Sequence, residues 1–259
     1  MKKILILNSL TASLATLVSA QMLPFQIEKL PEDLAKKTIL LNPEYAVFGK
    51  GKVTKDEKLP LVIFLHGAGG SGTEIRRVVR QSNRFLMTIQ SAGEKCFCVA
   101  PQALKSSRGH RKKGGWIAED LDVLLGHLKK TLPVDEKRIY LTGTSMGGYG
   151  TYVWAAKSPD HFAAIAPMVG GLGPGGPKDV TKDLDKWGKN LAKIPIRAYY
   201  GENDAVVPAD RGAMILKAIE KAGGKHAEVI VIKGQGHGAG RVPFRDVKFV
   251  NWLFSQKKK

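Results

Sequence analysis

Arg138-Ile139-Tyr140-Leu141-Thr142 runs into Gly143-Thr144-Ser145-Met146-Gly147 and on into Tyr149 to Ala156, and the reading of this stretch decides the fold. The first five residues have strand character and the last eight helix character. Between them stands a G-x-S-x-G turn. A turn that sharp needs glycines beside the serine, because larger side chains would collide with the adjoining strand or helix. It would hold the Ser145 hydroxyl out above the edge of a sheet. The chain has 29 glycines, so the pattern alone is weak, and the strand before it and helix after it carry the weight.

Working outward, Leu61 to Leu65 (LVIFL) is a continuous apolar run of the kind buried on both faces of a sheet, and Gly67 to Gly72 breaks it. A helix is expected from Thr73 to Ala92, with Thr73 as N-cap, then a strand Cys96 to Ala100. Leu121, Leu124, Leu125 and Leu128 put one apolar face on a helix from Ala118 to Lys130. Beyond the turn follow a strand Phe162 to Val169, a Gly/Pro-rich loop Gly170 to Lys178, a helix near Asp183 to Leu191, and a strand Ile196 to Tyr200. A helix Ala209 to Ala222, a strand Ala227 to Lys233 and a helix Phe244 to Gln256 complete the chain. Before residue 61 the pattern is weaker, with a charged, helix-permissive Glu28 to Lys37 and edge strands at Thr38 to Asn42 and Tyr45 to Phe48. Alternating strands and helices predict an α/β fold, a mostly parallel central sheet with helices on both faces. The loops after the carboxyl ends of its strands gather at one edge, where sites form in such sheets.

A serine hydroxyl needs a base to take its proton and an acid to orient that base. Asp204, in Gly201-Glu202-Asn203-Asp204, and His237, in Gly234-Gln235-Gly236-His237-Gly238, each follow a predicted strand directly. Ser145, Asp204 and His237 are therefore the candidate catalytic residues, in the Ser, acid, His order of one of the known arrangements. Glu202 and Asp210 compete for the acid role, but Asp210 opens a helix, where a carboxylate serves the helix end. His66, His110, His127, His161 and His226 lie away from the last strand and read as structural or solvated. Donors for a developing oxyanion are expected from the backbone N–H groups of Met146 and Ala68, the latter in His66-Gly67-Ala68-Gly69-Gly70.

Those segments, together with Val134-Asp135, Arg138-Ile139-Tyr140, Gly148-Tyr149, Phe162-Ala163-Ala164 and Ala166-Pro167, make the chain resemble the α/β-hydrolase superfamily. Within it, the resemblance is to exported feruloyl esterase and polyhydroxybutyrate depolymerase-like serine esterases, and it covers about Leu59 to Leu253. It implies an α/β-hydrolase fold and ester hydrolysis through an acyl-serine intermediate without a cofactor. The chain departs from those esterases at Gly238-Ala239-Gly240, where an aromatic-containing segment is usual. Dienelactone-type hydrolysis would want Cys at the elbow, and Ser145 stands there.

Met1-Lys2-Lys3, an apolar stretch from Ile4 to Val18 and small residues at Val18-Ser19-Ala20 read as a signal peptide, residues 1–20, cleaved near Ala20. Residues 21–259 then form a single catalytic domain, periplasmic or secreted, without a permanent membrane anchor. Cys96 and Cys98 read as buried free thiols, and no ligand spacing suggests a metal. The formal net charge of +18 draws anionic partners, an acidic polysaccharide or an anionic cell surface rather than nucleic acid, against the plainer reading of a solvated basic surface. Leu104 to Trp116, with Arg108, His110, Arg111, Lys112 and Lys113, should reach the active edge. Arg111, Trp116 and Trp187 are candidate substrate contacts. Gly170 to Asn190 is too short for a large lid. The expected substrates are short-chain or aromatic acyl esters, small or linked to polysaccharide or polyester. A serine peptidase of the same fold and a non-catalytic basic module binding acidic glycans are the competing readings.

Overall fold

The computed structural model describes the backbone of residues 4–7 and all of residues 23–49, 57–105 and 115–258. Nine strands form one sheet: β1 (Ile4–Leu7), β2 (Gln26–Lys29), β3 (Leu41–Phe48), β4 (Leu59–Leu65), β5 (Phe97–Ala103), β6 (Val134–Thr144), β7 (Ala164–Met168), β8 (Ile196–Gly201) and β9 (Ala227–Ile232). Their order is β1-β9-β8-β7-β6-β4-β5-β3-β2. β2 and β3 pair antiparallel, as do β3 and β5, and every other pairing is parallel. The helices are α1 (Glu32–Ala35), α2 (Arg76–Ser91), α3 (Ala118–Thr131), α4 (Met146–Lys157), α5 (Leu184–Leu191), α6 (Asp210–Lys221) and α7 (Val247–Phe254).

The parity of the apolar runs sorts the two faces, because successive side chains on a strand point to opposite sides. Leu61, Ile63 and Leu65 of β4 join Phe97, Ile139, Leu141 and Tyr200 in a core against α3, α4, α5 and α6. Val62 and Phe64 join Cys98, Tyr140, Ala166 and Tyr199 in a second core against α2 and α7. All seven residues of β4 are buried, as a strand covered on both faces requires.

Several expected boundaries move. α2 starts at Arg76 rather than Thr73; its N-cap position is Ile75, already helical at φ −57°, and no side chain caps it. Thr73 therefore does not cap the helix. The two early edge strands are one bulged strand, β3, whose register shifts between Leu41 and Tyr45. The charged Glu28 to Lys37 segment is helical only over α1, and its start lies in β2. Ile4–Leu7, inside the stretch read as an export signal, runs parallel to β9 at the far edge. Cys96 and Cys98 are free thiols, Cys98 buried and Cys96 half-buried, and desolvation pushes the Cys96 thiol up to about 12. Among the described residues no helix is long and apolar enough to cross a membrane.

Candidate active site

β6 ends at Thr144 and α4 begins at Met146, so Ser145 is the entire turn between them. Its backbone sits at φ 58° and ψ −114°, a conformation that costs a side-chain-bearing residue of order 1–3 kcal/mol. Two hydrogen bonds hold it there, Ser145 N–H to the Met168 carbonyl (2.8 Å) and Tyr149 N–H to the Ser145 carbonyl (3.0 Å). The flanking glycines are needed for space. A Cβ on Gly143 would lie 2.6 Å from the carbonyl oxygens of Gly147 and Leu65, and one on Gly148 would lie 2.5 Å from that of Met168.

Asp204 and His237 reach the same point from the ends of β8 and β9. The Ser145 hydroxyl donates to His237 Nε2 at 2.9 Å, and His237 Nδ1–H donates to Asp204 Oδ2 at 2.8 Å. The other Asp204 oxygen accepts from the backbone N–H of Val206 (2.8 Å) and Val207 (3.0 Å). Both carboxylate oxygens are engaged and the side chain is fully buried, so the ring faces a fixed acceptor. Glu202 points elsewhere and accepts from Gly234 N–H. Asp210 pairs with Arg211 in the first turn of α6.

A cavity of about 250 Å³ opens over Ser145. Ala68 and Met146 line it, and among the described residues neither amide N–H has a backbone acceptor, so both are available to a ligand oxygen. Trp116 lines it too. Its indole N–H donates to the His66 carbonyl (3.3 Å), its ring packs on the His66 imidazole at 4.8 Å, and a Cβ on Gly150 would strike it. Trp187 is not part of the lining. It sits on α5 at 6.3 Å from the Tyr149 ring, and Tyr149, one helical turn after Ser145, faces the cavity in its place. Arg111 lies outside the described residues.

The Gly/Pro-rich loop after β7 supplies most of the remaining wall. That wall consists of Gly115, Gly171, Gly173, Pro174, Gly176 and Pro177 with Val206 and Val207, all small or apolar residues. The Tyr200 hydroxyl donates to the Gly170 carbonyl (2.9 Å), Thr181 N–H to the Leu172 carbonyl (2.8 Å) and Arg211 Nη2 to the Lys178 carbonyl (2.5 Å). Val169, at the entrance of this loop, carries φ 44°, an unusual conformation for a β-branched residue.

His66 supports the site from below. It is fully buried; Nδ1–H donates to the Gly67 carbonyl (2.7 Å) and Nε2 accepts from Ala103 N–H (2.9 Å). Burial lowers its pKa from 6.5 to about 4, with the Gly67 bond opposing in part. The unfolded chain thus binds the proton more readily than the folded one. Stability is complete above pH 6.5 and falls as pH drops through the window down to about 4, by roughly 3 kcal/mol from this group. Urea midpoints at pH 7 and pH 4.5 should therefore separate by more in the wild type than in His66→Gln. An equal separation in the two proteins would remove His66 from the account.

A doubly covered, mostly parallel sheet with a strained serine at a strand-to-helix turn, hydrogen-bonded to a histidine that is itself bonded to an aspartate, both after the last two strands, defines an α/β-hydrolase. The chain belongs to the Dienelactone hydrolase family, whose model matches residues 99–241. The match holds with Ser, not Cys, at the elbow. The chain is 26% identical over 170 residues to "Probable feruloyl esterase C" of Aspergillus terreus, covering 65% of this chain and 58% of that one. It is 28% identical over 190 residues to poly(3-hydroxyalkanoate) depolymerase C of Paucimonas lemoignei, covering 60% and 43%. It thus spans about half the length of these curated relatives. The solved structure of a thermostable esterase superposes with a TM-score of 0.73 at 26% identity, over 90% of this chain and 63% of that one. Both branches of the expected resemblance are among the relatives. Among the described residues, no cluster of His, Cys, Asp or Glu could hold a metal ion.

Proposed function

We propose that the protein is a serine carboxylic-ester hydrolase that works through an acyl-serine intermediate on short-chain or aromatic acyl esters, whether small or attached to polysaccharide or polyester. The observation that carries the reading is the unbroken relay from Ser145 through His237 to Asp204, opening on the cavity lined by Ala68 and Met146. His237 Nε2 takes the hydroxyl proton as Ser145 Oγ attacks the carbonyl carbon. The amides of Ala68 and Met146 receive the negative charge on the carbonyl oxygen, and protonated His237 then delivers its proton to the departing alcohol. Water repeats the sequence on the acyl-serine and restores the enzyme.

The size of the cavity supports small acyl groups, since about 250 Å³ is below the range usual for drug-sized ligands. Trp116 and Tyr149 give an aromatic ring two partners. Export belongs to the same proposal and rests on residues 1–20; removing them would leave β9 as the sheet edge, and N-terminal sequencing of the protein from its source tests it. The function is tested with p-nitrophenyl acetate, p-nitrophenyl butyrate, methyl ferulate and a peptide nitroanilide. Ester turnover dominates in this proposal; dominant amide cleavage makes the protein a peptidase, and silence on every substrate returns it to a binding role.

A further inference from the structure

Nine arginines lie among the described residues, and their partners divide them sharply. Arg77, Arg138, Arg197 and Arg211 each pair with a carboxylate, on Glu74, Asp135, Glu228 and Asp210. Arg76, Arg80, Arg84, Arg241 and Arg245 are all exposed, and none has an ion pair or side-chain hydrogen bond among the described residues. The segments that carry these five, α2 and the turns at 237–245, pack into the same core on one face of the sheet.

Their placement follows from the packing of α2. Arg76, Arg80 and Arg84 recur every four residues along one ridge of the helix. Gln81 Oε1 accepts from Gly67 N–H (3.0 Å), which fixes the first half of α2 to the loop that carries Ala68. Two turns on, the Thr88 hydroxyl donates to the Phe244 carbonyl (2.8 Å), and the Phe85 and Phe244 rings lie 4.8 Å apart. Arg84 falls between those anchors, three residues after Gln81 and four before Thr88. The segment that Thr88 and Phe85 pack against is the one that begins at His237, whose first turn ends at Arg241 and whose second ends at Arg245. One end of the cluster therefore adjoins the oxyanion loop, and the other continues from the histidine of the relay. Asp246 is the single carboxylate between His237 and Lys248, and its Oδ1 accepts from Lys248 N–H at the start of α7.

Unpaired guanidinium groups in a row suit a chain of carboxylates, which they bind through two parallel N–H bonds each, and they draw it in by long-range attraction. We propose that Arg76, Arg80, Arg84, Arg241 and Arg245 form a docking surface for an acidic polysaccharide that carries the ester, with its uronate backbone along α2 and the 241–245 turn while the acyl group enters the cavity over Ser145. This rests on the ester-hydrolase reading and names its substrate class. A uronic-acid chain fits better than a nucleic acid because the surface borders a site for carboxylic esters, which a phosphodiester backbone lacks.

The test uses Ser145→Ala, which cannot turn substrate over, and the same protein with Arg80→Gln, Arg84→Gln, Arg241→Gln and Arg245→Gln added. Binding of polygalacturonate, dextran and a single-stranded oligonucleotide of matched charge is measured at low and high salt. Polygalacturonate should bind best, weaken with salt, and lose at least tenfold in affinity in the arginine variant. In the active enzyme the four substitutions should raise KM for acetylated polygalacturonate by a similar factor and leave kcat, p-nitrophenyl acetate turnover and Tm unchanged. Unchanged polygalacturonate binding in the variant, equal binding of dextran, or tighter binding of the oligonucleotide would each overturn the proposal. If wild-type protein ignores p-nitrophenyl acetate, the hydrolase reading fails by itself, and the binding comparison still judges the surface.

Discussion

Ser145→Ala is expected to lower kcat on p-nitrophenyl acetate by four to six orders of magnitude, on the order seen when serine is removed from other relays of this kind. The loss is that large because, among the described residues lining the cavity, Ser145 is the nucleophile held against His237. Alanine keeps the φ 58° backbone and its cost. Glycine does not, so Ser145→Gly should be equally inactive yet more stable than Ser145→Ala by about 1 kcal/mol. Urea unfolding of the two variants measures the difference. Equal stability would mean that the turn stores no strain, and the serine would lose its structural mark as a nucleophile.

Gly147→Ala carries the largest expected effect on folding. An added Cβ would lie far under 3.0 Å from the Leu65 carbonyl oxygen and also under 3.0 Å from that of His66, both backbone atoms that cannot swing aside. To relieve the clash, α4 must retreat from β4. That movement drags Met146 and Ser145 out of line with Ala68, so activity falls even in the molecules that fold. A destabilisation of about 4 kcal/mol or more is expected, seen as lost soluble yield or a urea midpoint shifted far down. Gly126→Ala in α3 is the control: open space surrounds its Cβ, and it should stabilise by about 0.5–1 kcal/mol.

The parts of the fold that could be read from sequence are those with a local signal. LVIFL at Leu61 to Leu65 reads as a strand buried on both faces, and in the fold its alternate residues divide between the two cores. Ser145, Asp204 and His237 each follow a strand, so the parallel sheet alone brings their loops to one edge, where their side chains meet. The cavity wall from Gly171 to Pro177 was legible only as a Gly/Pro-rich loop after a strand. Glycine and proline announce a loop but not where it will lie, and its position depends on bonds from Tyr200 and Arg211, 30 and 33 residues away from their acceptors. Trp187 was a reasonable candidate by type alone, yet Tyr149, 6.3 Å from it, is the ring that lines the cavity. β2 is an edge strand of four mostly exposed residues, so burial left no alternation to find; its pairing with β3 is what makes it a strand. The five unpaired arginines were visible only as net charge, because pairing is a property of neighbours in space.

The account turns on a covalent bond at Ser145. Its most direct test is mass spectrometry of protein quenched in acid during turnover of p-nitrophenyl acetate, followed by peptide mapping. One acetyl group on the peptide containing Ser145, absent from Ser145→Ala and accumulating in His237→Ala only as slowly as that variant turns over, is the predicted result. Steady ester hydrolysis with no adduct at Ser145, or with the acetyl group on another residue, would contradict it.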